Sequence, residues 1–330
     1  MSLDLPLVFA VLMGAAILAY VVLDGFDLGV GMLLPAATHD EQNLMVASIG
    51  PFWDGNETWL VLGVGLLLAA FPAAHGVILE AMYLPVMAML VGLMFRGVAF
   101  EFRLKALGWH RELWNGLFWF GSFLAAFAQG VMLGRYITAF ESGFGYYLFA
   151  LVVGASLCGG YVLLGATWLV LRTEGELQKK AIAWARWGLL WLALGVAAVS
   201  IATPLISATV RAKWFDFPDT LALMLLPVAS FAAGVLLWVE LGRVARGVAR
   251  ADWRPFAAAV AIYGLAFAGL AYSLFPYVVM DQMTIWDAAA HPSALKVVLI
   301  GALVVLPFIV AYTVFSYRVF SGKTRDPHYG

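Results

Sequence analysis

Long apolar runs broken by short polar links dominate the chain. Nine runs can be marked, at 5–33, 44–71, 76–97, 114–134, 146–171, 184–210, 220–242, 256–276 and 294–317. A helix needs about 20 mostly apolar residues to cross the hydrocarbon core of a bilayer. The pattern therefore predicts an all-α polytopic membrane protein of about nine transmembrane helices. Two four-helix bundles plus one peripheral helix suit that number, in a single integral membrane domain. The first bundle would cover about 1–134 and the second 146–276, with 294–317 as the last helix. The second run is the most interrupted, because its first half carries Trp53-Asp54-Gly55-Asn56-Glu57. The link Phe71-Pro72-Ala73-Ala74-His75 is short enough to make the second and third helices antiparallel neighbours.

Composition agrees with the pattern. The 330 residues are 64% hydrophobic and 12% charged, against about 25% charged in soluble domains. A net charge of −1 implies no nucleic acid or other polyanionic partner. The single cysteine, Cys158, has no internal disulfide partner. The N-terminal stretch lacks the basic region and cleavage pattern of a signal peptide, so the first run is expected to stay as a helix.

Lys and Arg residues add an orientation. With nine spans, 15 of the 19 fall on one face: Arg96, Arg103, Lys105, Arg111, Arg172, Lys179, Lys180, Arg186, Arg243, Arg246, Arg250, Arg254, Arg318, Lys323 and Arg325. The other face holds Arg135, Arg211, Lys213 and Lys296. Positive charge marks the cytoplasmic side, which puts the C-terminus inside and, for nine spans, the N-terminus outside. Eight spans would divide the charges identically, since no basic residue precedes Arg96.

Against this apolar background stand two acidic knots, DGFDLGVG at 24–31 and WDGNETW at 53–59. Asp24 with Asp27, and Asp54 with Glu57, each share a helical face at a spacing of three. A charged residue at a helix centre costs about 2.5–3.5 kcal/mol on insertion scales. In a nine-span arrangement Asp24 and Asp54 lie at one depth, about 15 Å from the cytoplasmic face, and are expected to share a polar pocket. Such carboxyls suit a proton relay. They equally suit a structural role, with Asp24 or Asp54 accepting from Asn56 or the backbone, and a cation site is a third reading.

Other polar residues carry less. Arg96 and Glu101, in FRGVAFEFR at 95–103, are expected at the cytoplasmic end of the third helix, snorkelling or paired with each other. Asp281 and Asp287 fall in the last outer loop, for proton exit or a partner contact, or simply in solvent. His39, His75, His110, His291 and His328 lie at helix ends, in loops or in the tail, so no axial ligand pair for haem is available and no metal site is expected. Tryptophans gather at span ends as interface belts do. Trp53 and Trp59 would also suit a groove for a lipid or quinone tail.

Taken together, DGFDLGVG, WDGNETW, AFP at 70–72 and FRGVAFEFR resemble subunit II of cytochrome bd-type quinol oxidases. The likeness continues through GATWL at 165–169, TEGEL at 173–177, LFPYV at 274–278 and MTIWDA at 283–288. The compact length is similar to the shorter, cyanide-insensitive-type members. The resemblance implies a nine-helix subunit with its N-terminus outside, in the bacterial inner membrane. It would pair with a homologous, haem-bearing subunit I. Haems b and d and quinol oxidation would belong to that partner, leaving this chain non-catalytic within an O2-reducing quinol oxidase. It would support subunit I and supply cytoplasmic protons. Some members hold a structural quinone, and a small single-helix accessory subunit joins some complexes. Carried over, the path carboxylates fall on Asp24 and Asp54, with Asp27 and Glu57 in the same motifs and Asn56, Arg96 and Glu101 as supporting polar groups. Some relatives have Gln at the position of Glu57. Phe102 replaces a Tyr of the family motif, so no role of that hydroxyl transfers. A proton-coupled secondary transporter and a purely structural scaffold subunit are the alternative readings.

Overall fold

The computed structural model describes residues 4–103, 105–217, 219–248 and 251–324. Arg250, Arg325 and His328, named above, lie outside the described residues. Helix α1 covers Leu5–Leu33, and a 3-10 turn, Leu34–Ala36, leads to α2, His39–Ile49. Then follow α3 (Trp53–Ala70), α4 (Pro72–Arg103), α5 (Trp109–Ile137), α6 (Phe144–Arg172) and α7 (Gly175–Ile206). Two short helices, α8 (Ala208–Phe215) and α9 (Asp219–Leu223), precede α10 (Leu225–Ala245) and α11 (Trp253–Leu274). A small antiparallel hairpin, Tyr277–Val279 with Met283–Thr284, leads into α12, Pro292–Val319.

Among the described residues eight helices are long and apolar enough to cross a membrane: all of these except α2, α3, α8 and α9. The 18 residues of α3 reach about 27 Å at 1.5 Å each, and α3 makes the ninth crossing. Hydrogen bonds between connections show this. On one face Trp286 donates to Asp4 at 3.1 Å, Ala290 N–H to the Ala70 carbonyl at 2.8 Å, and Tyr136 to the Val278 carbonyl at 2.6 Å. On the other, Lys180 meets Glu41 at 2.7 Å, Lys323 meets Asp252 at 2.5 Å, and Thr324 N–H donates to the Arg172 carbonyl at 2.7 Å. Asp4 and Thr324 therefore lie on opposite faces, which needs an odd number of crossings. An eight-span arrangement does not satisfy this.

The second run departs from expectation. The stretch 44–71 is not one helix: Gly50-Pro51 closes α2, Phe52 has non-helical φ/ψ (−120°, −34°), and α3 begins at Trp53. Proline lacks the N–H that a continuing helix would need and crowds the preceding turn. Thr38 and Glu41 form a capping box at the start of α2, so α2 is a separate cap under the bundle. The one-residue link at Phe71 does join α3 to α4, yet α4 packs mainly along α5, and α3 along α1.

Helices α1, α3, α4 and α5 form one group; α6, α7, α10 and α11 form the other, with α12 outside against α3. Helix α1 is central, touching α3, α5 and α6. The glycines of the first knot make this possible. A Cβ at Gly29 would lie 1.8 Å from the Tyr161 carbonyl oxygen, and one at Gly165 would lie 2.4 Å from Val30 N. Small residues let helix backbones touch where lipid offers no hydrophobic drive to association. An aromatic cluster locks the same region: Phe26 stacks on Trp168 at 4.2 Å, and Phe52 on Tyr317 at 4.5 Å.

Candidate functional site

Helix α1 runs unbroken through Asp24 and Asp27, so the spacing of three turns both carboxyls toward α3 and α4. Both are fully buried. Asp24 Oδ1 accepts from Arg96 Nη1 at 2.5 Å, and Arg96 Nη2 donates to Glu57 Oε2 at 2.7 Å. Arg96 is 1% exposed and Glu57 30%, so Glu57 is the member of the cluster nearest open space. Asp27 Oδ2 accepts from Asn56 Nδ2 at 2.8 Å, and Asn56 Oδ1 accepts from Tyr317 of α12 at 3.0 Å. Asp24 Oδ2 and Asp27 Oδ1 have no hydrogen-bond partner. Two carboxyls thus share one guanidinium, with Asp27 beside them on Asn56.

Arg96 corrects its expected role. It neither snorkels nor pairs with Glu101. Helix α4 continues to Arg103, so Arg96 lies about two turns inside the helix end, on the buried stripe with Met89, Leu93, Ala99, Phe100 and Arg103. Glu101, five residues on, points away at about 100° per residue and is exposed.

Asp54 also departs from expectation. The pocket shared by Asp24 and Asp54 does not form. Helix α3 restarts at Trp53, which leaves Asp54 in its first turn. Asn56 and Trp59 define the buried face of α3, and Asp54 falls roughly opposite them on a 3.6-residue turn. Asp54 is exposed, one turn closer to the cap than Glu57. The partner of Asp24 at matched depth is Glu57. Trp53 lies between: its ring packs on Phe100 at 4.9 Å and lies 5.8 Å from the Arg96 guanidinium carbon. Trp59 is buried, its indole nitrogen without a partner.

A second set of polar side chains continues from Asp24 into the bundle. Tyr20, one turn earlier on α1, is buried on the same helical face as Asp24. Its hydroxyl accepts from Gln129 Nε2 of α5 at 2.8 Å, and Gln129 Oε1 accepts from Tyr161 of α6 at 2.6 Å. Sequence reasoning missed Tyr20, Gln129, Tyr161 and Tyr317. The available signals were the spacing of four between Tyr20 and Asp24 and an amide in the middle of an apolar run.

Polar contacts at the rim hold α2 in place. Gln42 accepts from Asn115 at 3.0 Å, Asn115 accepts from Arg103 at 2.5 Å, and Asn43 accepts from Arg103 and Arg111. Burial works against ionisation of Glu41, yet its bonds from Lys180 and Thr38 prevail and hold the carboxyl below its ordinary value. At the opposite face, hydrogen bonds from the Thr284 hydroxyl and N–H hold Asp287 below the usual carboxylate range. Asp281 accepts from Ser207 at 2.9 Å. Four histidines are described, and each sits at a helix end: His39, His75, His110 and His291. Among the described residues no three His, Cys, Asp or Glu gather as a metal site.

Residues 5–320 match the family model described as cytochrome bd terminal oxidase subunit II. The chain is 31% identical to the cytochrome bd ubiquinol oxidase subunit 2 of Bacillus subtilis (strain 168), over 94% of each chain. It is 29% identical to the cytochrome bd-I ubiquinol oxidase subunit 2 of Escherichia coli (strain K12), covering 98% of this chain and 96% of that one. A chain in the structure of bd oxidase from Geobacillus thermodenitrificans has the same fold, with a TM-score of 0.79 at 16% identity over 96% of this chain and 99% of that one.

Proposed function

Because the chain belongs to the cytochrome bd terminal oxidase subunit II family, we propose that it is the non-catalytic subunit of a quinol oxidase, carrying protons to a haem-bearing subunit I. In this reading haems b and d, quinol oxidation and O2 reduction belong to the partner. This chain holds and moves protons. Membrane lipid surrounds the pair; a structural quinone and a small accessory subunit are further components of the reading, as in some members of the family.

One observation carries the proposal: Asp24 and Glu57 share one buried guanidinium, Arg96, and a third buried carboxyl, Asp27, lies three residues from Asp24 on α1, held by Asn56. A buried cluster pays heavily for net charge. With Arg96 fixed as a cation, the cluster is neutral when two of the three carboxyls carry a proton. Protons can then shift among them without a new buried charge. Exposed Asp54 and half-buried Glu57 lie one turn apart on α3, which suits uptake at Asp54, passage to Glu57 and transfer to Asp24 beside Arg96. Arg96 itself takes up no proton; its charge steadies whichever carboxyl is ionised. Positive charge on the α2 face supports an inside C-terminus and an outside N-terminus in a bacterial inner membrane.

Quinol-driven O2 uptake by the purified two-subunit complex tests the reading. Asp24→Asn and Glu57→Gln are expected to slow turnover per haem with haem content retained, and Asp54→Asn to slow it less. The buried Arg96 favours a second reading, a structural lock between α1, α3 and α4. Normal turnover per haem in all three variants, with lowered assembly, would establish the lock and remove the proton path.

A further inference from the structure

The chain of Tyr20, Gln129 and Tyr161 is not used by that path, and its hydrogen bonds have a direction. Tyr161 is fully buried, Tyr20 is 2% exposed and Gln129 9%. A glutamine side chain has one accepting oxygen and one donating nitrogen. Tyr161 donates to the oxygen at 2.6 Å, and the nitrogen donates to Tyr20 at 2.8 Å. The Tyr20 hydrogen is therefore left for another acceptor. Asp24 lies four residues on along α1, on the same helical face and fully buried, and its Oδ2 has no partner.

The reverse direction fails on the same accounting. With the Gln129 amide flipped, Tyr20 would donate to Gln129 and Tyr161 would accept. The Tyr20 hydrogen would then be spent on Gln129 and Asp24 Oδ2 would stay unmet. The Tyr161 hydrogen would have only the region of Tyr263, whose ring lies 6.4 Å away and whose hydroxyl is itself unpartnered. Unmet buried donors and acceptors are costly, so one direction is selected.

We propose that Tyr20, Gln129 and Tyr161 are positioning residues for Asp24, a one-directional hydrogen-bond chain that presents a hydroxyl hydrogen to the carboxyl oxygen left free by Arg96. The chain also ends the polar route on that side. An amide does not take up and release a proton at neutral pH, so Gln129 separates Asp24 from the far half of the bundle. This inference rests on the reading of Asp24 as a proton carrier. The groups around Asp24 are Asp27 and Tyr20 on α1, Glu57 on α3, Arg96 on α4, Gln129 on α5, Tyr161 on α6 with Tyr263 of α11 behind it, and Tyr317 of α12 through Asn56.

The test uses the purified two-subunit complex, with haem content as the measure of assembly. Tyr20→Phe removes the last donor; Gln129→Leu removes the link while leaving every tyrosine in place, and stands in if Tyr20→Phe does not assemble. Tyr20→Phe is expected to lower quinol-driven O2 uptake per haem about ten- to a hundredfold, the rate equivalent of one hydrogen bond to a charged group, Gln129→Leu to lower it less, and both to displace the pH profile. Tyr20→Phe combined with Asp24→Asn should be no slower than Asp24→Asn alone, because the donor acts only through that carboxyl. A pH profile unchanged in both single variants, or full multiplication of the two losses, overturns the proposal while Asp24→Asn remains slow. Normal turnover of Asp24→Asn itself overturns the proton path and this inference with it.

Discussion

Arg96 Nη1 and Asp24 Oδ1 meet at 2.5 Å, with the arginine 1% exposed and the aspartate fully buried. Neither side chain has water to fall back on. Removing one partner of such a pair costs about 3–5 kcal/mol, whereas replacing both with apolar groups of similar volume is often neutral. Arg96→Met alone should therefore sharply reduce the yield and thermal stability of the complex. Adding Asp24→Leu and Glu57→Leu should restore much of the stability without restoring turnover. Stability that stays low in the triple variant would mean that Arg96 holds the fold through contacts other than these carboxylates.

Gly29 is the second sensitive point. A methyl group there would have to occupy the position of the Tyr161 carbonyl oxygen, 1.8 Å away. The backbone cannot yield as a side-chain tip would, so Gly29→Ala should separate α1 from α6. Overpacking typically costs about 1–3 kcal/mol, and here backbone meets backbone. A lowered midpoint in heat-induced loss of the assembled complex is the expected reading; Gly65→Ala, with open space around its Cβ position, should leave that midpoint unchanged.

The Glu41–Lys180 tie gives a pH dependence. The folded state holds the Glu41 carboxyl below its ordinary value, so its contribution to docking α2 is present above the unfolded value. That contribution is lost as pH falls through the lower, folded value. Hydrogen exchange of α2 amides, taken relative to the unfolded chain at each pH, should begin to quicken as pH falls below the ordinary carboxylate value and reach its full rate below the folded value. Lys180→Ala should move that quickening to higher pH. Exchange that is equally fast in both proteins at every pH would dissociate α2 docking from this ion pair.

Sidedness can be read by thiol labelling. Cys158 is buried and should stay silent in intact membranes. A thiol at Lys179→Cys should react only after cytoplasmic access is opened, and one at Glu141→Cys should react from outside. The opposite pattern would invert the orientation while leaving nine crossings intact.

Hydropathy made the helices legible because a membrane span requires an apolar run whatever its tertiary neighbours. It also marked the acidic knots, since charge in such a run is costly. It could not pair them. Which carboxyl faces inward depends on where α3 begins, and that was decided by Pro51, one residue inside a run that otherwise reads as continuous. The burial of Arg96 is hidden in the sequence for a related reason: its distance from the helix end depends on α4 continuing to Arg103. Tyr20 and Gln129 are ordinary residues of membrane helices until α1, α5 and α6 are brought together.

Tyr317 completes the hydrogen bonding of Asn56 from α12, the helix outside the two groups. In the chain that helix follows every other member of the cluster. During synthesis, Asp24, Asp27, Asn56 and Glu57 must wait in the bilayer while more than two hundred further residues are added. For that interval the cluster has Arg96 but lacks its final wall. Early pairing with Arg96 would then hold α1, α3 and α4 together, and α12 would act as a latch that closes over Asn56.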